Sequence, residues 1–188
     1  MKISDTGINL IKKYEGCRTS AYKCPAGVWT IGYGHTGGVH PGDKITLSQA
    51  DKLLRQDITK YESMVNAYDN IYHWTQSQFD ALCSFAFNIG NITGLTGAGS
   101  REKYKIADKM LLYVNAAGKK MPGLVKRRKE ERELFLSEPT PMKNNNVIAK
   151  EVIDGLWGNG KERIQLLKES GYDPKAIQNI VNVMMKSK

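Results

Sequence analysis

EGCRTSAYKCPAGVWTIGYGHT, residues 15–36, puts a carboxyl, a thiol, a hydroxyl and an imidazole into one run of short, glycine-punctuated segments. Upstream, ISDTGINLIKKY spaces Ile8, Ile11 and Tyr14 as one face of a helix behind an Asp5/Thr6 cap, and Gly16 is a natural stop. Glu15 therefore falls at a helix C-terminus, where the partial negative charge of the helix end disfavours a second negative charge. A carboxyl kept in its neutral form suits a general acid. Downstream, RTSAY and VWTIGY alternate and carry β-branched or aromatic residues on either side of a KCPAG turn, the pattern of a β-hairpin. Cys24 lies at that turn and Thr30 on the return strand.

The spacing is Glu15, eight residues, Cys24, five residues, Thr30, followed at once by IGYGH. This resembles the catalytic segment of the phage lysozyme family of glycoside hydrolases, whose pattern places Asp or Cys at the second position. The resemblance implies that Glu15 is the proton donor, that Cys24 holds the second catalytic position, and that Thr30 helps to place water or the sugar. It also implies a structural role for His35.

Glycosidic cleavage needs an acid to protonate the leaving oxygen and a second group, on the other face of the sugar, that activates water or attacks carbon. A thiol in that second place is mostly neutral near pH 7, with an ordinary pKa of about 8.5, so Cys24 serves only if its surroundings favour the thiolate. The rival reading makes Cys24 a small residue filling a turn. The resemblance points to inversion of configuration at the sugar. Other patterns in the same stretch lead nowhere. Gly32, Gly34 and Gly37 spell G-x-G-x-x-G but run into GGVHPGD, loop chemistry rather than the helix a dinucleotide site requires. His35, His40, Cys17 and Cys24 fit no common zinc spacing, so neither metal nor cofactor is expected.

The 188 residues suffice for one full domain and a small companion, with enough apolar content for a core. The N-terminus lacks an apolar h-region, and no stretch is long enough to span a bilayer, so synthesis in the cytoplasm without a signal peptide and no stable membrane insertion are expected. Three cysteines fit free thiols in a reducing compartment, although a Cys17–Cys24 disulfide after release stays open. The net charge of +9 is shared: residues 1–138 carry 20 basic and 14 acidic side chains, residues 139–188 carry 8 and 5. Such a balance favours polyanions, among them nucleic acid, anionic lipid and the acidic polymers of a bacterial wall. The densest run, KRRKEERE at 126–133, reads by default as a solvated helix face.

Further along, LSQADKLLRQDITKYESMV reads as a long helix joining two lobes, with Ser48 and Asp51 as its capping pair. Thr75 and Gln78 open a second helix, whose Phe79, Leu82, Cys83, Ala86 and Phe87 mark it as central and buried. Its wording, QFDALCSFAFNIG, resembles the core helix of the phage lysozymes. By that resemblance Phe87 and Asn88 face the sugar cleft, against the plain alternative of a core Phe and a capping Asn. NITGLTGAGSREK is glycine-rich loop and departs from the family. IADKMLLYVNAAG is expected to be a helix ending at Gly118, and Pro122 to open the next. GLVKRRKEERELF resembles the last helix of the lysozyme domain, and one of Arg127 and Arg128 is expected to reach the acidic cleft.

SEPTPMKNNN lacks any apolar period and reads as a linker. Behind it, helical patterns cover Val147 to Leu156, Lys161 to Ser170 and Pro174 to Met185, a small bundle of marginal size. IAKEVIDGLWGNGKER, SGYD and IQNIVN resemble the CW-seven cell-wall-binding repeat. The resemblance makes Asp154, Trp157, Gly158 and Arg163 the candidates to hold a muropeptide, while composition alone would make Trp157 a core residue. A single copy implies weak affinity unless the protein oligomerises or the first domain adds contacts. PKAIQNIVNVMMKSK lacks an Arg/Asn cluster on a free face, so no nucleic acid partner is expected.

The sequence thus implies an α+β chain: a lysozyme-like domain over 1–138 with a small β-hairpin lobe and a larger helical lobe, a linker over 139–146, and a wall-binding three-helix bundle over 147–188. The implied activity is an endolysin's hydrolysis of the β-1,4 bond between N-acetylmuramic acid and N-acetylglucosamine in peptidoglycan, after release to the wall, causing lysis of the host cell. The alternative is a non-catalytic peptidoglycan-binding protein with a degenerate lysozyme domain, Cys24 marking the lost carboxylate.

Overall fold

In the computed structural model, residues 1–137 and 144–186 are described, and they divide between two compact units, 1–139 and 140–188. The first unit opens with α1 (Asp5–Glu15). Its N-cap is Ser4 rather than the expected Asp5/Thr6 pair: the Ser4 hydroxyl accepts from the Thr6 N–H, satisfying a donor the helix itself leaves open. Ile8 and Ile11 are buried, and Gly16 at φ 65° ends the helix.

β1 (Arg18–Lys23) and β2 (Trp29–Gly32) pair antiparallel, with Tyr22 opposite Thr30 and Lys23 opposite Trp29. The ladder changes register between Arg18 and Tyr22, and Ser20 there bridges to Lys44 instead. The hairpin thus begins three residues after Glu15 and carries Cys24 and Thr30 at its far end.

α2 (Leu47–Asn66) is the long helix, but its capping box is Thr46 with Gln49, two residues before the expected pair. A turn of helix, α3 (Asp69–Tyr72), leads to α4 (Gln76–Ile89), which has the expected Thr75/Gln78 box. Every residue of α4 from Phe79 to Ala86 is buried, so it is the axis of the core. Phe79, Leu82 and Phe85 pack there with Ile11, Leu54, Ile58, Ile106 and Phe135.

The glycine-rich segment holds the short α5 (Thr93–Thr96), and the Tyr72 hydroxyl reaches the carbonyls of both Thr96 and Arg101. The helix expected to run to Gly118 stops earlier. α6 spans Lys103–Met110, and β3 (Asn115–Ala116) and β4 (Lys119–Lys120) form a second small hairpin. Ala117 and Gly118, at φ 48° and 73°, supply the left-handed pair that a tight hairpin turn requires. α7 (Pro122–Leu136) closes the unit with Pro122 in its first turn and packs along α4.

The second unit is α8 (Asn145–Ile153), α9 (Gly160–Glu169) and α10 (Pro174–Lys186) around Ile148, Ala149, Val152, Leu167, Ile177 and Val181. Of the linker expected over 139–146, residues 139–143 lie outside the described residues. Asn145 and Asn146 already belong to α8, because the Asn144 side chain caps the helix by accepting from the Asn146 N–H.

Candidate active site

Glu15 is the last residue of α1, as its spacing required. The Arg127 Nη1 donates to its Oε1 at 2.6 Å, and the arginine side chain is 3% exposed, so this ion pair is shielded on one side. The positive guanidinium opposes the unfavourable helix end, a contribution that chain spacing alone did not include. Arg127 also stacks near the Tyr14 ring, 5.5 Å from its centroid, and its Nη2 donates to the Ser84 carbonyl at 3.0 Å. On the outer side of the same helix pair, Lys13 Nζ clasps Glu130 at 2.7 and 2.8 Å.

The run at 126–133 is consequently not a solvated face. Arg127, Arg128 and Glu131 are all buried, and Glu131 sits between the two arginines. Arg127 Nε lies 3.0 Å from Glu131 Oε1, Arg128 Nη2 lies 3.2 Å from that same oxygen, and Arg128 Nε lies 3.0 Å from Oε2. The Ser84 hydroxyl of α4 donates to Glu131 at 2.7 Å. Burial raises the Glu131 carboxyl above the usual carboxylate range, and Arg128, Arg127 and Ser84 oppose the rise. Arg128 Nη2 also donates to the Asn88 Oδ1 at 3.0 Å, so Asn88 is exposed yet fixed in orientation. Asn88 does not cap α4; Gly90 does, in the left-handed conformation. Phe87 is half-buried and packs its ring against Tyr61 at 5.4 Å. Glu131 and Ser84 were missed in the sequence. The only trace of them was that Glu131 stands three and four residues beyond the arginines, the spacing at which helical side chains meet.

The hairpin brings Cys24 and Thr30 together. The Cys24 N–H bonds to the Val28 carbonyl at 2.9 Å and the Gly27 N–H to the Cys24 carbonyl at 2.8 Å, which closes the turn. The Val28 and Ala26 N–H groups reach the thiol and hold it below the ordinary cysteine range, and the Thr30 hydroxyl adds to the effect against partial burial. Thr30 Oγ1 also lies 3.1 Å from the Val28 carbonyl. Its single proton serves either that carbonyl or the sulfur, so Thr30 can switch between them. Cys17 and Cys24 flank the six-residue β1, whose rise of about 3.3 Å per residue separates them by roughly 20 Å. A disulfide needs Cα atoms within about 7 Å, so the bridge left open above is excluded, and both cysteines are free. His35 uses both ring nitrogens in fixed contacts, Nδ1 with Asp57 at 2.9 Å and Nε2 with the Gly37 carbonyl at 2.8 Å.

In the second unit, Trp157 is half-buried, with its indole N–H donating to Glu151 at 3.0 Å and its ring set edge-on to Tyr172 at 5.9 Å. Arg163 Nη2 donates to Gln178 of α10 at 2.9 Å. Gly158 has φ 65°, the left-handed region that favours glycine, and the atom a Cβ would meet there, a Glu162 carboxylate oxygen at 2.9 Å, is the movable end of a side chain. Asp154 follows α8 directly and is exposed. Among the described residues no group of His, Cys, Asp and Glu converges to hold a metal, and no helix is long and apolar enough to cross a membrane.

A small hairpin lobe beside a helical body, with a carboxyl at the end of the first helix, is the architecture of a lysozyme-like glycoside hydrolase. Residues 12–131 match the phage lysozyme family model and residues 146–185 the CW_7 repeat model. The chain belongs to the phage lysozyme family. It is 42% identical to an endolysin of Acyrthosiphon pisum secondary endosymbiont phage 1 over 73% of this chain and 99% of that one. It is also 41% identical to an endolysin of Bacillus phage B103, over 80% of this chain and 64% of that one. Among solved structures it resembles a P22 lysozyme variant, at 34% identity and TM-score 0.64, covering 73% of this chain and 99% of the other. The active form of P1 phage endolysin Lyz matches at 30% identity and TM-score 0.65, covering 72% and 85%. The chain is therefore a lysozyme, a muramidase that cleaves peptidoglycan.

Proposed function

We propose that Glu15 is the proton donor of this muramidase and Cys24 the group that acts from the other face of the sugar, with Thr30 positioning the thiol and the attacking water. The observation that carries this reading is the 2.6 Å contact of Arg127 with Oε1 alone. With Oε1 engaged by the guanidinium, Oε2 is the oxygen left to deliver a proton to the glycosidic bond. Cys24, held below the ordinary thiol range by turn N–H groups, supplies a thiolate that either activates water, with inversion, or attacks carbon, with retention. Inversion is the reading we adopt. Phe87 offers a hydrophobic face and Asn88 an oriented amide to the sugar ring.

In the second unit, Asp154, Trp157, Gly158 and Arg163 form the muropeptide-binding set of a wall-anchoring module. The exposed Asp154 carboxylate and the free part of the Trp157 ring make the contacts, while Gly158 and Arg163 shape the turn and hold α10. The protein is made in the cytoplasm of an infected cell, reaches the wall through a separate membrane lesion and lyses the host, whose wall the repeat suggests is Gram-positive. Self-association supplies a second repeat where one is too weak.

The test is Glu15→Gln assayed by release of reducing ends from a peptidoglycan suspension. Loss of general acid catalysis lowers the rate by about 10²–10⁴, with far-UV circular dichroism and wall binding unchanged. Near-normal release would overturn the assignment of the donor.

A further inference from the structure

We infer that Glu131 is a positioning residue that sets the acid and a sugar-facing amide at once, through two arginines that share its carboxylate. The inference rests on the reading of Glu15 as donor and Asn88 as a cleft residue.

The geometry is a continuous chain. Glu15 Oε1 is held by Arg127, Arg127 by Glu131, Glu131 by Arg128, and Arg128 by Asn88 Oδ1, with every polar separation at 3.2 Å or less. Glu131 and Arg128 are 0% exposed, and the Ser84 hydroxyl fixes Glu131 from the opposing helix. Residues 112 positions apart in the chain are thereby tied to one buried carboxylate. Buried ion pairs of this kind earn little net stability against apolar replacements, but removing one partner leaves a stranded charge. A network retained at such cost is well suited to orientation, because a planar guanidinium anchored on a carboxylate holds its remaining N–H bonds in fixed directions: Arg127 gives Nε to Glu131 and Nη1 to Glu15, and the Nη2 of Arg128 reaches both Glu131 and Asn88.

Charge counting gives the sign of the effect. With Glu15 ionised the cluster of two arginines and two glutamates is neutral. Without Glu131, Glu15 is the only anionic partner of the two arginines among the described residues, and its ionised form is favoured. On the neighbouring elements, among the described residues, Lys13 and Glu130 neutralise each other on the outer face of α1 and α7, and the Tyr14 hydroxyl faces Glu130; in the catalytic reading the Cys24 thiolate acts from across the sugar. Glu131→Gln therefore moves the alkaline, descending limb of the kcat/KM profile about one pH unit or more toward acid, since the donor must be protonated to act. It also frees Asn88, and KM rises several-fold.

The experiment measures kcat and KM on solubilised peptidoglycan fragments from pH 4 to 9 for the full chain, Glu131→Gln, and the double variant Arg128→Met with Glu131→Gln. The double variant removes a buried pair together and keeps Glu15 facing Arg127 in a neutral cluster, so it folds where the single variant is stranded. For it the descending limb stays in place while KM rises through loss of the Asn88 anchor. A merely structural Glu131 would lower the amount of folded enzyme and leave both the limb and KM unmoved, and that result overturns the inference. Should Glu131→Gln fail to fold, an unchanged KM in the double variant overturns it equally. Glu15→Gln, run alongside, separates the two claims: an active Glu15→Gln sinks the donor assignment itself, whereas an inactive one with indifferent Glu131 variants sinks only the positioning role.

Discussion

The Asp80 carboxylate of α4 takes both the backbone N–H of Ser4, at 2.8 Å, and the Ser4 hydroxyl. Ser4 is the N-cap of α1, whose other end is Glu15, so the central helix fixes the helix that carries the acid from its first residue. Gln76 adds a donor to the same carboxylate at 2.8 Å.

That pairing gives a pH signature. Burial raises the Asp80 carboxyl above its usual range, partly offset by Ser4 and Gln76. A carboxyl whose folded pKa is raised contributes stability that is complete below its unfolded pKa, about 3.9, and is lost as pH climbs through the folded value. Asp80→Asn, which cannot ionise, escapes that loss. The difference in melting temperature between Asp80→Asn and the parent should therefore become more positive on going from pH 4 to pH 7, as thermal unfolding by circular dichroism can check. A constant difference would mean that Asp80 does not titrate with folding.

For Cys24, the expected profile has an ascending limb below the ordinary thiol value of about 8.5, because the Val28 and Ala26 N–H groups favour the thiolate. Cys24→Ser should lose most activity, since a serine hydroxyl does not ionise. Cys24→Asp should keep it and move the limb to about pH 4. Iodoacetamide should inactivate the parent and spare the Asp variant. A fully active serine variant with an unshifted profile would reduce Cys24 to a turn residue.

Removing residues 139–188 should weaken sedimentation with peptidoglycan and slow lysis of whole cells, with turnover of soluble fragments nearly unchanged. Each unit has its own buried core, which is why the first should survive alone. Equal lysis by the truncated chain would argue that the second unit binds something other than wall.

Gly158→Ala tests the second unit from inside. The left-handed backbone costs about 1–2 kcal/mol for a residue with a Cβ, while the Glu162 carboxylate that such a Cβ would meet can swing aside. The variant should unfold at a lower temperature without losing per-molecule affinity for the wall in its folded fraction. A stable variant that no longer binds would instead make Gly158 a contact residue.

Much of this fold was legible because its signals are local. Alternation around KCPAG located the hairpin, and Thr75 with Gln78 located the start of α4. Where two hydroxyls compete, as Thr46 and Ser48 do before α2, sequence does not say which one caps. The hairpin at 115–120 was hidden because Leu111, Leu112 and Tyr113 continue the apolar pattern of α6, while each strand is two residues long. Glu15, Cys24 and Thr30 could be proposed from the sequence because their spacing is short. Glu131 could not, because hydropathy scores Arg127, Arg128 and Glu131 as solvent-facing, and only a partner from another helix makes their burial tolerable.

The closing helix has a bearing on when the molecule becomes an enzyme. Arg127 is translated 112 residues after the carboxylate it holds, so a nascent chain carries Glu15 through all of that interval without the guanidinium that pairs with it. The pair that holds Glu15 is complete only once α7 has emerged and docked along α4.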